Sequence, residues 1–182
     1  MPEKQQTLFA PHVSNLKAKS TKPKTVCVWK IFIDGAARGN PGKAGAGIYI
    51  VDQHNKIIGK EGFYLGAKTN NQAEYLALAI ATALLTKLTN NDTPDIVFNF
   101  VSDSLLLVKQ MKGEYKVKNP ILSNIKQVVA KLLAQHKHSF THVLRDQNKM
   151  ADKLANQGIN HRQSLSPFLQ RFVQEHRLPS IP

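Results

Sequence analysis

Four acidic residues stand where predicted strands end or predicted helices begin. Asp34 follows the apolar run TVCVWKIFI and precedes the glycine-rich stretch GAARGNPG, and Asp103 follows the apolar run DIVFNFVS. Glu74 and Asp152 each lie early in a predicted helix, within AEYLALAIATALLTKL and NKMADKLANQGIN. Each acid alone has an ordinary explanation, as a turn residue, a helix cap, a partner of the helix dipole or part of a solvated face.

Taken together, the four acids favour a metal site. If the strands that end at Asp34 and Asp103 are neighbours in an open sheet, both carboxylates lie at the sheet edge where α/β proteins bind ligands. The chain has 12 Asp and Glu against 25 Lys and Arg, and four converging acids would repel one another unless a cation neutralised them. Oxygen ligands without a cysteine or histidine cluster indicate Mg²⁺ or Mn²⁺, and two such ions about 4 Å apart suit in-line displacement at phosphorus.

The elements that must position these acids predict an α/β fold. Three strands (TVCVWKIFID, GAGIYIVD and KIIGKEGFYLG) form an antiparallel meander, and Thr69 with Gln72 matches a capping box before the first helix. A strand, two helices, a fifth strand (SFTHVLR) and a further helix follow, and Ser166-Pro167 opens a last helix. We therefore expect a five-stranded mixed sheet flanked by helices, with strands one to three antiparallel.

Composition limits the classes of function. A net charge of +13 and a pI of about 9.9 favour a polyanionic partner such as nucleic acid, although excess positive charge also occurs as plain solubilising surface. The single cysteine, Cys27, excludes an intramolecular disulfide. The sequence contains neither a bilayer-length apolar run nor a secretory h-region, so we expect no membrane association and a cytoplasmic location.

Three regions are expected along the chain. Residues 1–24 form a flexible basic arm, residues 25–162 the catalytic domain, and residues 163–182 a C-terminal helix and tail. The arm is a plain solvated terminus, a linker or a nucleic-acid contact. The last helix either packs on its own domain or binds a partner.

Four motifs in this order resemble type 1 ribonuclease H, the family that cuts the RNA strand of an RNA–DNA hybrid. They are DGAARGNPGKAGAG, TNNQAE, SDS and NKMAD, and the resemblance extends from about Val28 to Asn160. It implies that Asp34, Glu74, Asp103 and Asp152 are catalytic ligands of two Mg²⁺ or Mn²⁺ ions. It also implies endonucleolytic cleavage that leaves 5′-phosphate and 3′-hydroxyl ends.

The same resemblance implies a set of substrate-binding residues. Asn40, Asn71 and Ser104 match positions along the minor groove of the hybrid, where 2′-hydroxyls distinguish RNA from DNA. Thr69 and Asn119 match positions that hold a phosphate of the DNA strand, but Ala67 stands near where the family often has an arginine, beside Lys68. All five side chains also have ordinary interpretations as loop and cap residues.

Two departures from the family pattern affect how substrate is held and cut. The stretch MKGEYKVKNP is too short for the basic handle of many bacterial members, so Lys112, Lys116, Lys118 or the tails must grip the substrate. A histidine often follows the fifth strand in the family. Here we favour Arg145 over His142, as in the handle-less branch that includes archaeal-type members, for charge stabilisation or product release; a salt bridge from Arg145 to an acid such as Asp146 is the alternative.

The sequence therefore predicts a monomeric, metal-dependent endoribonuclease that acts on RNA–DNA hybrids. Three alternatives stay open: a non-catalytic nucleic-acid-binding module on the same fold, a nuclease that also acts on double-stranded RNA or on junctions, and a domain of a longer, polymerase-linked protein.

Overall fold

Five strands form one mixed sheet in the computed structural model, which describes residues 27–89 and 96–182. The strands are β1 (Cys27–Gly39), β2 (Gly42–Val51), β3 (Ile57–Lys68), β4 (Ile96–Ser102) and β5 (His138–His142). Their order is β3-β2-β1-β4-β5, with β1–β2 and β2–β3 antiparallel and β1–β4 and β4–β5 parallel. The predicted fold class, including the antiparallel first three strands, is confirmed.

Five α-helices connect and cover the strands. They are α1 (Asn70–Leu88), α2 (Leu105–Met111), α3 (Pro120–Leu133), α4 (Lys149–His161) and α5 (Pro167–Glu175), and a 3₁₀ turn spans Arg145–Gln147. The predicted capping box is present at Thr69, and Asn119 and Ser166 each cap a helix that begins with proline. Among the described residues, no helix has both the length and the apolar character needed to cross a membrane.

The core lies between one face of the sheet and α1. This helix is buried on most of its circumference rather than along the single stripe that its sequence suggests, because α3 and α5 pack on it from outside. Leu169, Phe172 and Val173 of α5 belong to the same core cluster, so the last helix packs on its own domain. The boundary at residue 162 stays a prediction, and the arm at residues 1–24 lies outside the described residues.

The opposite face of the sheet carries α4. It contacts β1, β2 and β3, and glycines in β2 and β3 allow this close approach: a methyl group on Gly47 would collide with Ala151 O and Ala155 N. The helix therefore lies close above the first three strands, and its first turn reaches the edge of the sheet where Asp34 lies.

Two predicted strand ends near this edge of the sheet were wrong. β1 does not end at Asp34 but continues to Gly39, because its last residues keep pairing with β2 as far as Gly39–Gly42. β5 ends at His142 rather than at Arg145, since the chain turns into the 3₁₀ segment there. Asp34 is therefore a strand residue at the point where the neighbouring β4 stops.

Candidate active site

The four predicted acids line a single cleft. Asp34 comes from β1, Glu74 from α1, Asp103 from the residue after β4 and Asp152 from the first turn of α4, and they surround a volume of about 400 Å³. We call this the acidic cleft. Four elements that are distant in sequence thus bring their carboxyl groups to one place.

Strand register explains how two of the acids meet. β1 and β4 run parallel, with Phe32 opposite Val101, so Asp34 and Asp103 lie two residues further along their strands at the same edge. Glu74 is the fifth residue of α1, just beyond the first turn, and no acid occupies the first turn. A role for Glu74 in complementing the helix dipole is therefore excluded.

Burial and mutual repulsion favour protonation of the two least exposed acids. Asp34 and Glu74 are each 6 % exposed. Burial, and then the nearby Asp103 and Asp152, raise the pKa of Asp34 to about 7, while Arg145 and the backbone N–H of Gly35 oppose the rise. Burial, and then Asp34 and Asp103, raise the pKa of Glu74 well above its usual range.

The donor set of the cleft suits a hard divalent cation. All four side chains offer carboxylate oxygens, and Glu74 Oε2 is buried without a hydrogen-bond partner. An orphaned buried oxygen is costly unless something binds it, and a cation is a suitable partner for a carboxylate among other carboxylates. As placed, however, no three His, Cys, Asp or Glu side chains among the described residues are grouped closely enough to hold a metal ion.

Asn148 connects three of the elements around the cleft. It is 1 % exposed, and its Nδ2 donates to Asp103 Oδ1 at 2.7 Å and to the backbone oxygen of Ile33 at 3.0 Å. Asn148 stands at the N-cap position of α4 but makes no side-chain cap, because its amide is directed across to β1 and Asp103. Sequence reasoning missed this role.

Arg145 lies at the mouth of the cleft and pairs with Asp152. Its Nη2 is 3.2 Å from Asp152 Oδ1, and its side chain is 82 % exposed against 34 % for Asp152. The structure thus shows the alternative of a salt bridge from Arg145 to a nearby acid, with Asp152 rather than Asp146 as the partner. The hydrogen bond and charge of Asp152, and then the charges of Asp103 and Asp34, raise the pKa of Arg145 further, so it stays protonated. His142, the rejected candidate, is the exposed last residue of β5.

The residues predicted along the minor groove divide into two groups. Asn40 Oδ1 accepts a hydrogen bond from the backbone N–H of Asn70 at 3.1 Å, which ties the β1–β2 turn to the start of α1. Asn70 lines the acidic cleft, whereas the predicted Asn71 is exposed and does not. Ser104 caps α2 by accepting from Leu107 N at 3.4 Å. The cap and loop interpretations of Asn40 and Ser104 therefore hold, and they leave donor groups free on both side chains.

The two residues of the predicted phosphate pocket are both helix caps. Thr69 accepts from Gln72 N, and Asn119 Oδ1 accepts from Ile121 N and Leu122 N, so Asn119 Nδ2 remains available as a donor. Lys68 cannot replace the missing arginine as placed. Its amine is buried and donates to the backbone oxygens of Ala67 and Ser180, and burial lowers its pKa.

The short loop that stands in place of a basic handle is tied down by one buried side chain. Gln110 accepts from Tyr75 OH at 2.7 Å and donates to Lys116 O at 3.2 Å. Lys109 Nζ lies 4.7 Å above the ring of Tyr115. Lys112, Lys116 and Lys118 are exposed on this loop.

Sequence and fold comparisons identify relatives of this arrangement. A family model described as reverse transcriptase-like matches residues 32–158. Ribonuclease HI of Halobacterium salinarum is 35% identical over 130 residues, which cover 71% of this chain and 63% of that protein. The bifunctional protein Rv2228c of Mycobacterium tuberculosis is 33% identical over 132 residues, which cover 71% of this chain and 35% of that protein. The match thus spans less than two thirds of the length of either relative.

Solved structures with the same fold cover the same region. The crystal structure of RNase H1 from Halobacterium salinarum superposes with a TM-score of 0.67 at 33% identity, over 75% of this chain and 98% of that one. LC11-RNase H1, isolated from compost, has been solved in complex with an RNA/DNA hybrid. That complex gives a TM-score of 0.68 at 35% identity, over 74% of this chain and 97% of that one.

Proposed function

The chain belongs to the reverse transcriptase-like family, within which its sequence and fold group it with type 1 ribonuclease H, and from this premise we propose that it is a metal-dependent endoribonuclease. Its proposed substrate is the RNA strand of an RNA–DNA hybrid. The observation that carries the proposal is the convergence of four carboxyl groups from β1, α1, the end of β4 and α4 on one cleft.

The four acids are the proposed ligands of two divalent cations, Mg²⁺ or Mn²⁺. The unpartnered Glu74 Oε2 and the raised pKa of Asp34 and Glu74 support this, because burial and neighbouring acids disfavour both carboxylates and a cation would stabilise them. Bound cations would supply an activated water and charge stabilisation at the scissile phosphate. Asp34 of β1 and Asp103 just after β4 would hold the cations together with Glu74 of α1 and Asp152 of α4.

Two further residues of the site would support the reaction, one by orienting a metal ligand and the other by supplying positive charge. Asn148 holds Asp103 in one orientation through its 2.7 Å hydrogen bond. Arg145, exposed and paired with Asp152, would move its positive charge toward the reacting phosphate or assist product release. Expulsion of the 3′-oxygen of the RNA strand leaves a 3′-hydroxyl and a 5′-phosphate.

Preference for the hybrid is proposed to depend on amide and hydroxyl groups. Asn40, Asn71 and Ser104 are the proposed contacts to RNA 2′-hydroxyls, and Thr69 and Asn119 the proposed contacts to a DNA phosphate. The relative LC11-RNase H1 was solved with an RNA/DNA hybrid, which supports the same substrate class here. A cytoplasmic location and a monomeric state belong to this proposal as expectations.

Cleavage assays on matched duplexes test the proposal. Labelled RNA–DNA hybrid, duplex RNA and duplex DNA are incubated with the protein in Mg²⁺, in Mn²⁺ or with a chelator, and Asp34→Asn is the inactive comparison. We expect cleavage of the RNA strand of the hybrid alone, dependent on cation, with a loss of at least about 10³-fold in Asp34→Asn.

Two results would contradict the proposal. Hybrid binding without cleavage under either cation would show a non-catalytic binding module. Cleavage of duplex RNA as fast as hybrid would show that the substrate class is broader than proposed.

A further inference from the structure

Arg38 lies at the rim of the acidic cleft and has no part in the machinery proposed above. It is exposed near the end of β1, and its Nη2 donates to Asn160 Oδ1 at 2.7 Å and to Asn156 Oδ1 at 3.4 Å on α4. It lines the same cleft as the four acids. A positive side chain therefore stands beside the site, turned toward α4.

The charge of Arg38 is not neutralised by its partners. Both partners are neutral amides, whereas the other arginine of the cleft, Arg145, pairs with a carboxylate. A guanidinium has five N–H donors, and the two hydrogen bonds use one nitrogen. In the described part of the chain, the donors on Nε and Nη1 have no hydrogen-bonded acceptor.

The backbone beneath Arg38 is fixed from two sides. Asn40 ties the β1–β2 turn to α1 through its bond with Asn70 N, and Gly39 supplies the positive φ of 102° that this turn requires. Arg38 itself ties the turn to α4. A guanidinium held in this way loses less side-chain freedom when it binds an anion than a free surface lysine would lose.

We propose that Arg38 binds a phosphate group of the substrate backbone next to the acidic cleft, a role that rests on the proposed nuclease function and adds a substrate-binding residue to it. Guanidinium groups recognise phosphates through short, charge-assisted hydrogen bonds. Amide partners suit such a role, because they orient the side chain and leave its full charge for the ligand. The position beside the cleft places that phosphate next to the reacting one.

A purely structural role is the competing explanation. Asn156 Nδ2 donates to the backbone oxygen of Asp152 at 3.0 Å while its Oδ1 accepts from Arg38, so Arg38 also reaches Asp152 through Asn156. A structural role predicts a change in kcat and in melting temperature. Phosphate binding predicts instead a change in affinity and in its salt dependence.

The test compares Arg38→Gln with Lys137→Gln, which removes one exposed charge at the far end of the sheet. Steady-state cleavage of hybrid and fluorescence anisotropy of hybrid binding in chelator are both measured from 50 to 200 mM salt. For Arg38→Gln we expect KM and Kd to rise about 10-fold, with kcat within about twofold, because one charge-assisted hydrogen bond is lost. The slope of log Kd against log salt should fall by about 0.7–0.9 in Arg38→Gln, while Lys137→Gln should change neither Kd nor this slope.

A third variant, Arg38→Lys, keeps the charge and should retain the salt slope. A reduced kcat or melting temperature in Arg38→Gln, with KM, Kd and salt slope unchanged, would overturn the inference in favour of the structural role. If the unmodified protein cleaves no hybrid, the proposed nuclease function fails. The anisotropy measurement would then still decide whether Arg38 binds the backbone.

Discussion

Asp34 is a buried acid that shares its surroundings with other acids, and this gives the metal-free protein a measurable pH dependence. Its pKa is about 7 in the folded protein against 3.8 ordinarily, so between these values the folded form holds a proton that the unfolded form releases. The contribution of Asp34 to stability is therefore fully present below about pH 4 and is lost as pH rises to about 7. We expect Asp34→Asn, in chelator, to melt close to the unmodified protein near pH 4.5, where most of this contribution remains, and at a clearly higher temperature at pH 8.

Thermal denaturation at both pH values measures this difference. Glu175→Gln, on an exposed part of α5, is the matched control and should melt with the unmodified protein at each pH. An advantage of Asp34→Asn that stays the same from pH 4.5 to pH 8 would contradict the proposed protonation of Asp34.

Local sequence patterns explain why the four acids were predicted and why the roles of Asn148 and Arg38 were missed. Asp34 and Asp103 directly follow apolar runs, a local pattern that predicts the ligand-binding edge of a sheet even though β1 continues beyond Asp34. Asn148 sits where a helix cap is expected, and its bond to Asp103 depends on how α4 crosses the sheet, which no local pattern encodes. The hydrogen bonds of Arg38 could likewise not be predicted from the sequence, because its partners lie more than 100 residues away on α4.

At the scale of elements, Gly35 sets how closely α1 approaches β1. A methyl group there would collide with the backbone at Ala73 and Glu74, and no flexible side chain could move aside to relieve the collision. We expect Gly35→Ala to displace the start of α1, to lower hybrid cleavage at least about 100-fold and to destabilise the fold. The matched control is Gly59→Ala in β3, whose added methyl would meet side-chain atoms of Ile50 no closer than 3.4 Å.

Cleavage rates and melting temperatures of the two variants test this packing requirement. Activity in Gly35→Ala close to that of Gly59→Ala would show that Glu74 does not need the contact between α1 and β1.

We expect the loop after α2 to bind the substrate in place of the basic handle that many bacterial family members have. Gln110 fixes the backbone of this loop, and three exposed lysines project from it. We expect the triple variant Lys112→Gln, Lys116→Gln, Lys118→Gln to bind hybrid more weakly, with a salt slope lower by about 2, because up to three phosphate contacts are lost.

A triple variant of equal charge provides the comparison for the loop. Lys56, Lys131 and Lys137 are exposed and line no part of the acidic cleft, so their change to glutamine should leave the salt slope close to that of the unmodified protein. An equal fall in slope for both triple variants would show that net charge alone matters, and a slope unchanged in the loop variant would show that the loop lysines do not bind the substrate.

Element boundaries were harder to predict than element types for a physical reason. β1 continues past Asp34 because its tail pairs with β2, a partner whose register cannot be read from β1 alone. The nearly complete burial of α1 follows from α3 and α5 covering it, again a tertiary effect. The sheet order itself was predictable in outline, since apolar strands joined by short turns favour a meander.

For the whole molecule, charge is arranged so that a chain with net charge +13 brings four of its 12 Asp and Glu residues together in the acidic cleft. The positive charge of the molecule attracts a polyanion, whereas the acidic cleft repels it unless bound cations neutralise the acids. The acidic cleft is thus a source of instability that a bound cation should relieve, and this links metal binding to the stability of the entire fold.

That link leads to a prediction that does not depend on activity. At pH 8, Mg²⁺ or Mn²⁺ should raise the melting temperature by several degrees over a chelator at matched ionic strength, because a cation present at about 100 times its dissociation constant adds about 2.7 kcal/mol. Asp34→Asn should show a clearly smaller shift, and Glu175→Gln the full one. Calorimetric or fluorescence melting measures all three proteins, and equal shifts in all of them would place the cation outside the acidic cleft.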